Sequence, residues 1–232
     1  MEIVRNRVET NRNDDLDYPY RILIGQFYSS GDMGPPIEVL NRAGFSVDNT
    51  KDERSFLVKL DTNHYDLVWI LSANRIYHRE FLPKLFDYHR NGGPIFLLAD
   101  NAPYVAHASA FLEKKFGLIL VGSYDGNQTL SFKENGNLMR SHFGEHEIFH
   151  GIQHLFEGVT ISSPLIFSSN KENSMKTIAT ASHAYPCISV FESSNEGRLC
   201  LDCGFTKLFI NWDPEETGRF IVNVSNWLIK RN

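Results

Sequence analysis

A chain of 232 residues, 42% hydrophobic, 22% charged and 12% aromatic, has the make-up of a globular protein with a sizeable core. Its formal charge of −5 gives no electrostatic ground for nucleic acid or an anionic membrane as partner. No apolar run reaches the length of a membrane span, the start MEIVRNRVETNRNDDLDYPY lacks the pattern of a signal peptide, and three cysteines argue against a disulfide framework, so a cytoplasmic protein is expected.

Met1–Tyr18, rich in Arg, Asn and Asp, reads as an arm or tail, and residues 19–232 as one α/β domain. Arg21–Gln26 is a short buried strand, followed by a Gly/Ser turn. Pro35 and Pro36 start a helix that ends at Gly44, the usual asymmetry of proline in and glycine out. Phe45–Asp48 is a second strand, Glu53–Leu60 a helix, Asp66–Leu71 a third strand, Arg79–Asn91 a helix, and Pro94–Ala99 a fourth strand. This alternation predicts βαβ units and a parallel sheet.

The fourth strand stops on Asp100 and Asn101, and Pro103 opens a further helical pattern. In an open parallel sheet, ligands and chemistry collect at this end of a strand, against a helix N-terminus. A hydrolase would place Ser or Cys there, and this chain has neither.

After Gly117 the rhythm changes. Leu118–Val121 is one more strand, Gly122–Gly144 a stretch of hairpins or loops, and Val159–Ser162, Leu165–Ser168, Thr177–Thr180, Ile188–Glu192 and Arg198–Asp202 are short β pieces. Glu215–Lys230 closes the chain as an amphipathic helix, with Phe220, Ile221, Val224, Trp227 and Leu228 at helical spacing. The expected fold is a flavodoxin-like three-layer α/β sandwich with a mostly parallel central sheet and late antiparallel or irregular additions.

Three stretches resemble the class I glutamine amidotransferase-like superfamily, nearest its ThuA-like and non-catalytic branches. They are the Arg21–Phe116 order with GGPIFLLAD before the nucleophile turn, the segment HEIFHGIQHLFEGVTIS at His146–Ser162, and Gly197–Leu228. The last, with ADNAPY, is similar to domains of the superfamily found beside von Willebrand A modules. The resemblance implies a Gly-x-Cys-x-Gly elbow and a later His-x-Glu pair. Here the elbow reads Ala99-Asp100-Asn101-Ala102, with no cysteine near it. Glutaminase chemistry is therefore not expected.

Several side-chain groups compete for a role. Asp100 and Asn101 either bind a ligand at the strand end or cap the helix near Pro103. His146-Glu147-x-x-His150 matches a zinc motif literally, with His142 and His154 extending its spacing, but Gly144 and Gly151 crowd it into a short turn with surface histidines. Cys200 and Cys203 lie three apart in a strand-like run, on opposite faces, and read with Cys187 as core thiols. Ser29, Ser30, Ser72, His183 and Asp202 sit in no nucleophile motif. The turn from Ser29 to Gly34 lacks the lysine of a phosphate loop. Phe205, Phe209 and Trp212, with Lys207 and Asp213, read as packing, Trp212 being the one expected at the surface.

The leading expectation is a catalytically silent amidotransferase-like module that needs no cofactor. It would bind a protein partner or small ligand through Gln26, Ser29, Ser72, Asp100, Asn101, Tyr104 and His183, within a larger assembly. The second is a hydrolase with a non-standard site around Asp100, Asn101, Ser72 and His183. The third is a zinc metallohydrolase using His146, Glu147 and His150.

Overall fold

The computed structural model describes residues 19–166 and 175–230. The expected arm Met1–Tyr18 and the end of the expected strand Leu165–Ser168 lie outside them. In chain order the first elements are β1 (Tyr20–Gln26), α1 (Gly34–Arg42), β2 (Phe45–Thr50), α2 (Glu53–Thr62), β3 (Leu67–Leu71), α3 (Phe81–Arg90), β4 (Ile95–Leu98) and α4 (Ala106–Phe116). There follow β5 (Leu118–Asp125), β6 (Thr129–Phe132), β7 (His142–Phe143), β8 (His154–Phe156), β9 (Thr160–Ile166), β10 (Lys176–Thr180), β11 (Pro186–Phe191), β12 (Leu199–Asp202) and α5 (Thr217–Ile229).

Ten strands form one sheet in the order β2-β1-β3-β4-β12-β11-β10-β7-β6-β8. The first five are parallel to one another, and β11 and β10 continue the sheet antiparallel. The parallel part therefore has the flavodoxin-like order, with β12 in the fifth place.

The strands of this part are continuous apolar runs because both faces are covered. Ile22, Ile24, Trp69, Leu71, Phe96, Leu98 and Cys200 point into a core closed by Leu40 of α1 and by Phe220, Ile221 and Val224 of α5. Leu23, Val68, Ile70, Leu97, Leu201 and Cys203 point the other way, onto Phe56, Phe81, Leu85 and Phe111 of α2, α3 and α4. Alternation along each strand thus builds the three layers.

The later half departs from expectation in detail. β5 runs on to Asp125 past Gly122, whose φ of +92° accompanies a break in its pairing with β9. β9 is one strand through Pro164, and it pairs with β5 in a separate two-stranded ribbon. Between these two strands, where hairpins or loops were expected, the chain makes β6 and β7, and then β8. The helix after β4 begins at Ala106 with no side-chain cap, so Asp100 and Asn101 do not cap it.

Candidate functional site

Five loops meet at the carboxyl ends of β1, β2, β3, β4 and β12. The strand order reverses between β1 and β3, the place where this architecture usually leaves a ligand crevice. On the α2–α4 side, side chains fill that place. Asp52 caps α2 by accepting from the Ser55 N–H, which turns the next side chain, Glu53, inward. The buried Glu53 carboxylate accepts from the backbone N–H groups of Tyr77 (2.8 and 3.0 Å) and His78 (2.6 Å).

His107 completes the arrangement. The Ala73 N–H donates to its Nδ1 at 3.1 Å, so the ring carries its proton on Nε2 and donates it to Glu53 Oε1, also at 3.1 Å. The imidazole is fully buried, stacked on Phe27 at 4.5 Å and edge-on to Phe81. Burial opposes the Glu53 charge. The bonds from His107, Tyr77 and His78 outweigh it and hold the carboxyl below its ordinary range. Ser72 is buried next to this pair, its Oγ accepting from the Ala108 N–H at 3.1 Å. The imidazole nitrogen a nucleophile would need already holds a backbone amide.

On the α1–α5 side the end of the sheet is roofed by aromatic rings. Tyr28 touches Tyr104 edge-on at 5.1 Å, tilts against Phe205 at 4.9 Å and stacks on Phe209 at 6.1 Å. The Phe209 ring lies so close over Gly31 that a Cβ there would collide with it. Gln26 holds the loop from beneath, donating to Gly31 O at 2.7 Å and accepting from Asn49 Nδ2 at 2.9 Å. Ser29, on the same loop, is exposed.

Between the two filled halves lies a buried polar cluster. Asp202 and Lys207 form an ion pair at 2.5 and 2.6 Å, each side chain 1% exposed. Asp100 is buried beside it, its Oδ1 accepting from Thr160 Oγ1 (2.8 Å) and the Asn101 N–H (2.9 Å). Burial pushes the Asp100 carboxyl up to about 6, against the Thr160 and Asn101 hydrogen bonds and the attraction of Lys207. Asn101 reaches outward to Ser123 Oγ at 3.3 Å.

The structure thus gathers Gln26, Ser29, Ser72, Asp100, Asn101 and Tyr104 at one end of the sheet. His183 lies on the exposed β10–β11 turn, which the register of Ile188 with Asp202 sets at the same end of the sheet, with its contacts to Ser182 and Tyr124. Lys207, read with the packed aromatics, is fully buried, and Trp212, expected at the surface, is half-buried against the α1–α5 core. Both follow from the chain after β12 turning back over the sheet end.

The His146 segment is a single 3-10 turn, Glu147–Phe149, with His146 Nδ1 accepting from the Ile148 N–H. Among the described residues no three His, Cys, Asp or Glu side chains converge as metal ligands. Burial raises the thiols of Cys187, Cys200 and Cys203. No signal in the sequence pointed to Glu53 or His107, because two residues at the starts of different helices carry no mark of each other.

Two surface cavities lie away from this cluster. One of about 630 Å³ sits at the amino ends of the strands among Tyr65, Tyr88, Gly93 and Glu196, and one of about 490 Å³ is lined by His146, His150, Phe132 and Gln153. Among the described residues, no helix is long and apolar enough to cross a membrane.

No family model and no curated protein matches the chain. Among solved structures it is similar to the N-terminal domain of mmIFT52, with TM-score 0.62 and 12% identity over 91% of this chain and 98% of that one. It is similar to the cytoplasmic protein STM3548 from Salmonella typhimurium, with TM-score 0.56 and 11% identity over 90% and 98%. A ThuA-like protein from Bacteroides uniformis gives TM-score 0.52 and 14% identity over 98% and 95%. These likenesses are of fold alone: a flavodoxin-like α/β architecture.

Proposed function

We propose that the chain is a catalytically silent amidotransferase-like module, with residues 19–232 working as one unit, that binds a protein partner across the carboxyl-end face of its sheet. The observation that carries this reading is the filled switch point. The place of a substrate is taken by Phe27, Glu53 and His107, and the place of the nucleophile by an aspartate held by Thr160 and Asn101. The fold-level likeness to the N-terminal domain of mmIFT52 supports a module that serves as part of a larger chain. A face whose crevice is filled favours a macromolecular partner over a small ligand, because a small ligand needs concavity.

A hydrolase centred on Asp100 keeps one observation in its favour, a buried carboxyl near 6 at the end of a parallel strand. One experiment separates the two. Affinity capture from cell extract is run with the wild type, with Ser30→Arg/Ala102→Arg on the carboxyl-end face, and with Asn91→Arg at the opposite end, all three sites being exposed. The partner is expected to be lost only with the double variant. Ester or amide turnover by wild type that disappears in Asp100→Asn would establish the hydrolase instead.

A further inference from the structure

The loop Asn74–Glu80, which joins β3 to α3 on the carboxyl-end face, reads NRIYHRE. Ile76 anchors it by packing on the α2–α4 core, while Asn74, Arg75, Tyr77, His78, Arg79 and Glu80 are exposed. Tyr77 is 63% exposed with the Arg75 guanidinium 4.3 Å from its ring centre, and the Arg79 side chain is 94% exposed, paired with its neighbour Glu80. A large aromatic ring left in water under one arginine, with a second exposed arginine two residues on, has the make-up of a contact surface. Tyrosine and arginine are the residues that carry most binding energy at protein interfaces.

The loop does not owe its shape to a partner. Its backbone is pinned from below at Tyr77 and His78 by the buried Glu53 carboxylate. A surface fixed in advance loses little conformational entropy on binding. The same carboxylate ties the loop to the turn Lys51–Arg54.

Together the two segments display Lys51, Arg54, Arg75 and Arg79 against Asp52 and Glu80 at the surface, a positive excess on a chain of net charge −5. The two carboxylates interrupt the patch, which does not suit the continuous phosphate track of a nucleic acid. Scattered cations around one exposed tyrosine suit a short protein segment that carries carboxylates and an apolar side chain.

We propose that loop Asn74–Glu80, with the start of α2, is the docking surface for an acidic protein segment. This rests on the module reading above and names the kind of partner it takes. Arg75 and Arg79 supply charge and steering, Tyr77 supplies contact area, and Glu53 and His107 act as positioning residues beneath.

A random-peptide phage library is selected on the full-length protein, and the enriched peptides are synthesised and titrated against wild type, Tyr77→Ala and Arg75→Glu/Arg79→Glu. Enriched peptides are expected to be rich in Asp and Glu, to bind more weakly as salt rises, and to lose about tenfold or more in affinity with either variant. Unchanged thermal unfolding of these surface variants keeps the result interpretable. Peptides without an acidic excess, or binding equally to the variants, overturn the proposal. So does binding of double-stranded DNA or phosphatidylserine vesicles that is abolished by Arg75→Glu/Arg79→Glu while acidic peptides fail to bind. A partner captured from extract that survives this charge reversal but is lost with Ser30→Arg/Ala102→Arg sinks the loop and leaves the module standing. Turnover lost in Asp100→Asn sinks the module itself.

Discussion

Glu53 and His107 stand 54 residues apart in sequence and 3.1 Å apart in space, both buried, at the point where the strand order reverses. The pair joins α2, the β3–α3 loop and α4 into one unit. Glu53→Ala would leave two backbone amides and the imidazole N–H without their acceptor. It is expected to cost about 3–5 kcal/mol in urea unfolding, whereas Glu53→Gln, which keeps one acceptor oxygen, costs about 1–2 kcal/mol. Equal losses would show that the carboxylate charge, and not a single acceptor oxygen, carries the stabilisation.

Asp100 is expected to weaken the fold at neutral pH. Its folded-state value of about 6 lies above the ordinary 3.8, so the native state holds the proton more tightly than the unfolded chain. Stability from this group is therefore full below pH 3.8 and is lost as pH rises through 6. Asp100→Asn, which keeps an oxygen acceptor for Thr160 and Asn101, should raise stability at pH 7 by up to about 3 kcal/mol. The gain should vanish near pH 4. A destabilised variant at pH 7 would show that the ionised carboxylate is a structural necessity.

His89 acts with the opposite slope. It is buried between Phe111 and Phe191, its Nδ1–H donates to Gly93 O at 3.3 Å, and its Nε2 has no hydrogen-bond partner among the described residues, Glu196 lying 3.9 Å away. Burial, with Lys115 nearby, pushes its value down to about 4 from 6.5. Its contribution is whole above pH 6.5 and is lost as pH falls toward 4, by about 3 kcal/mol. Replacement by Leu should flatten the acid limb of the pH–stability curve measured by thermal unfolding. A curve unchanged in shape would place the titrating group elsewhere.

The three cysteines are buried with raised thiols, and they divide between the two core layers. A thiol-reactive chromophore should therefore label native protein only at the rate of unfolding, and all three sites together once urea passes the transition. Fast labelling of one site in native protein would contradict the packing around it.

The parallel half of the fold was legible in the sequence because its strands are unbroken apolar runs and its helices end at Gly44, Gly92 and Gly117. All three of these glycines take positive φ. The segment from β5 to β8 was not legible. Strands of two to four residues, half exposed, leave too little periodicity to separate them from loops. Asp100 was found by its position at a strand end, but its reading as a helix cap failed because Thr160, 60 residues away, takes the carboxylate. The partner of Lys207 was hidden for the same reason. Only tertiary pairing with Asp202 permits a buried ammonium, and local sequence does not show it.

The place of β12 in the sheet also sets an order of events. Ile95–Leu98 meets its partner Leu199–Asp202 only after roughly a hundred further residues have been made, so during synthesis an apolar parallel strand waits with one side open. Such an edge recruits whatever strand is nearest. A chain cut anywhere between α4 and Leu199 keeps that edge permanently, and should be recovered as aggregate even though most of the parallel layer is already present.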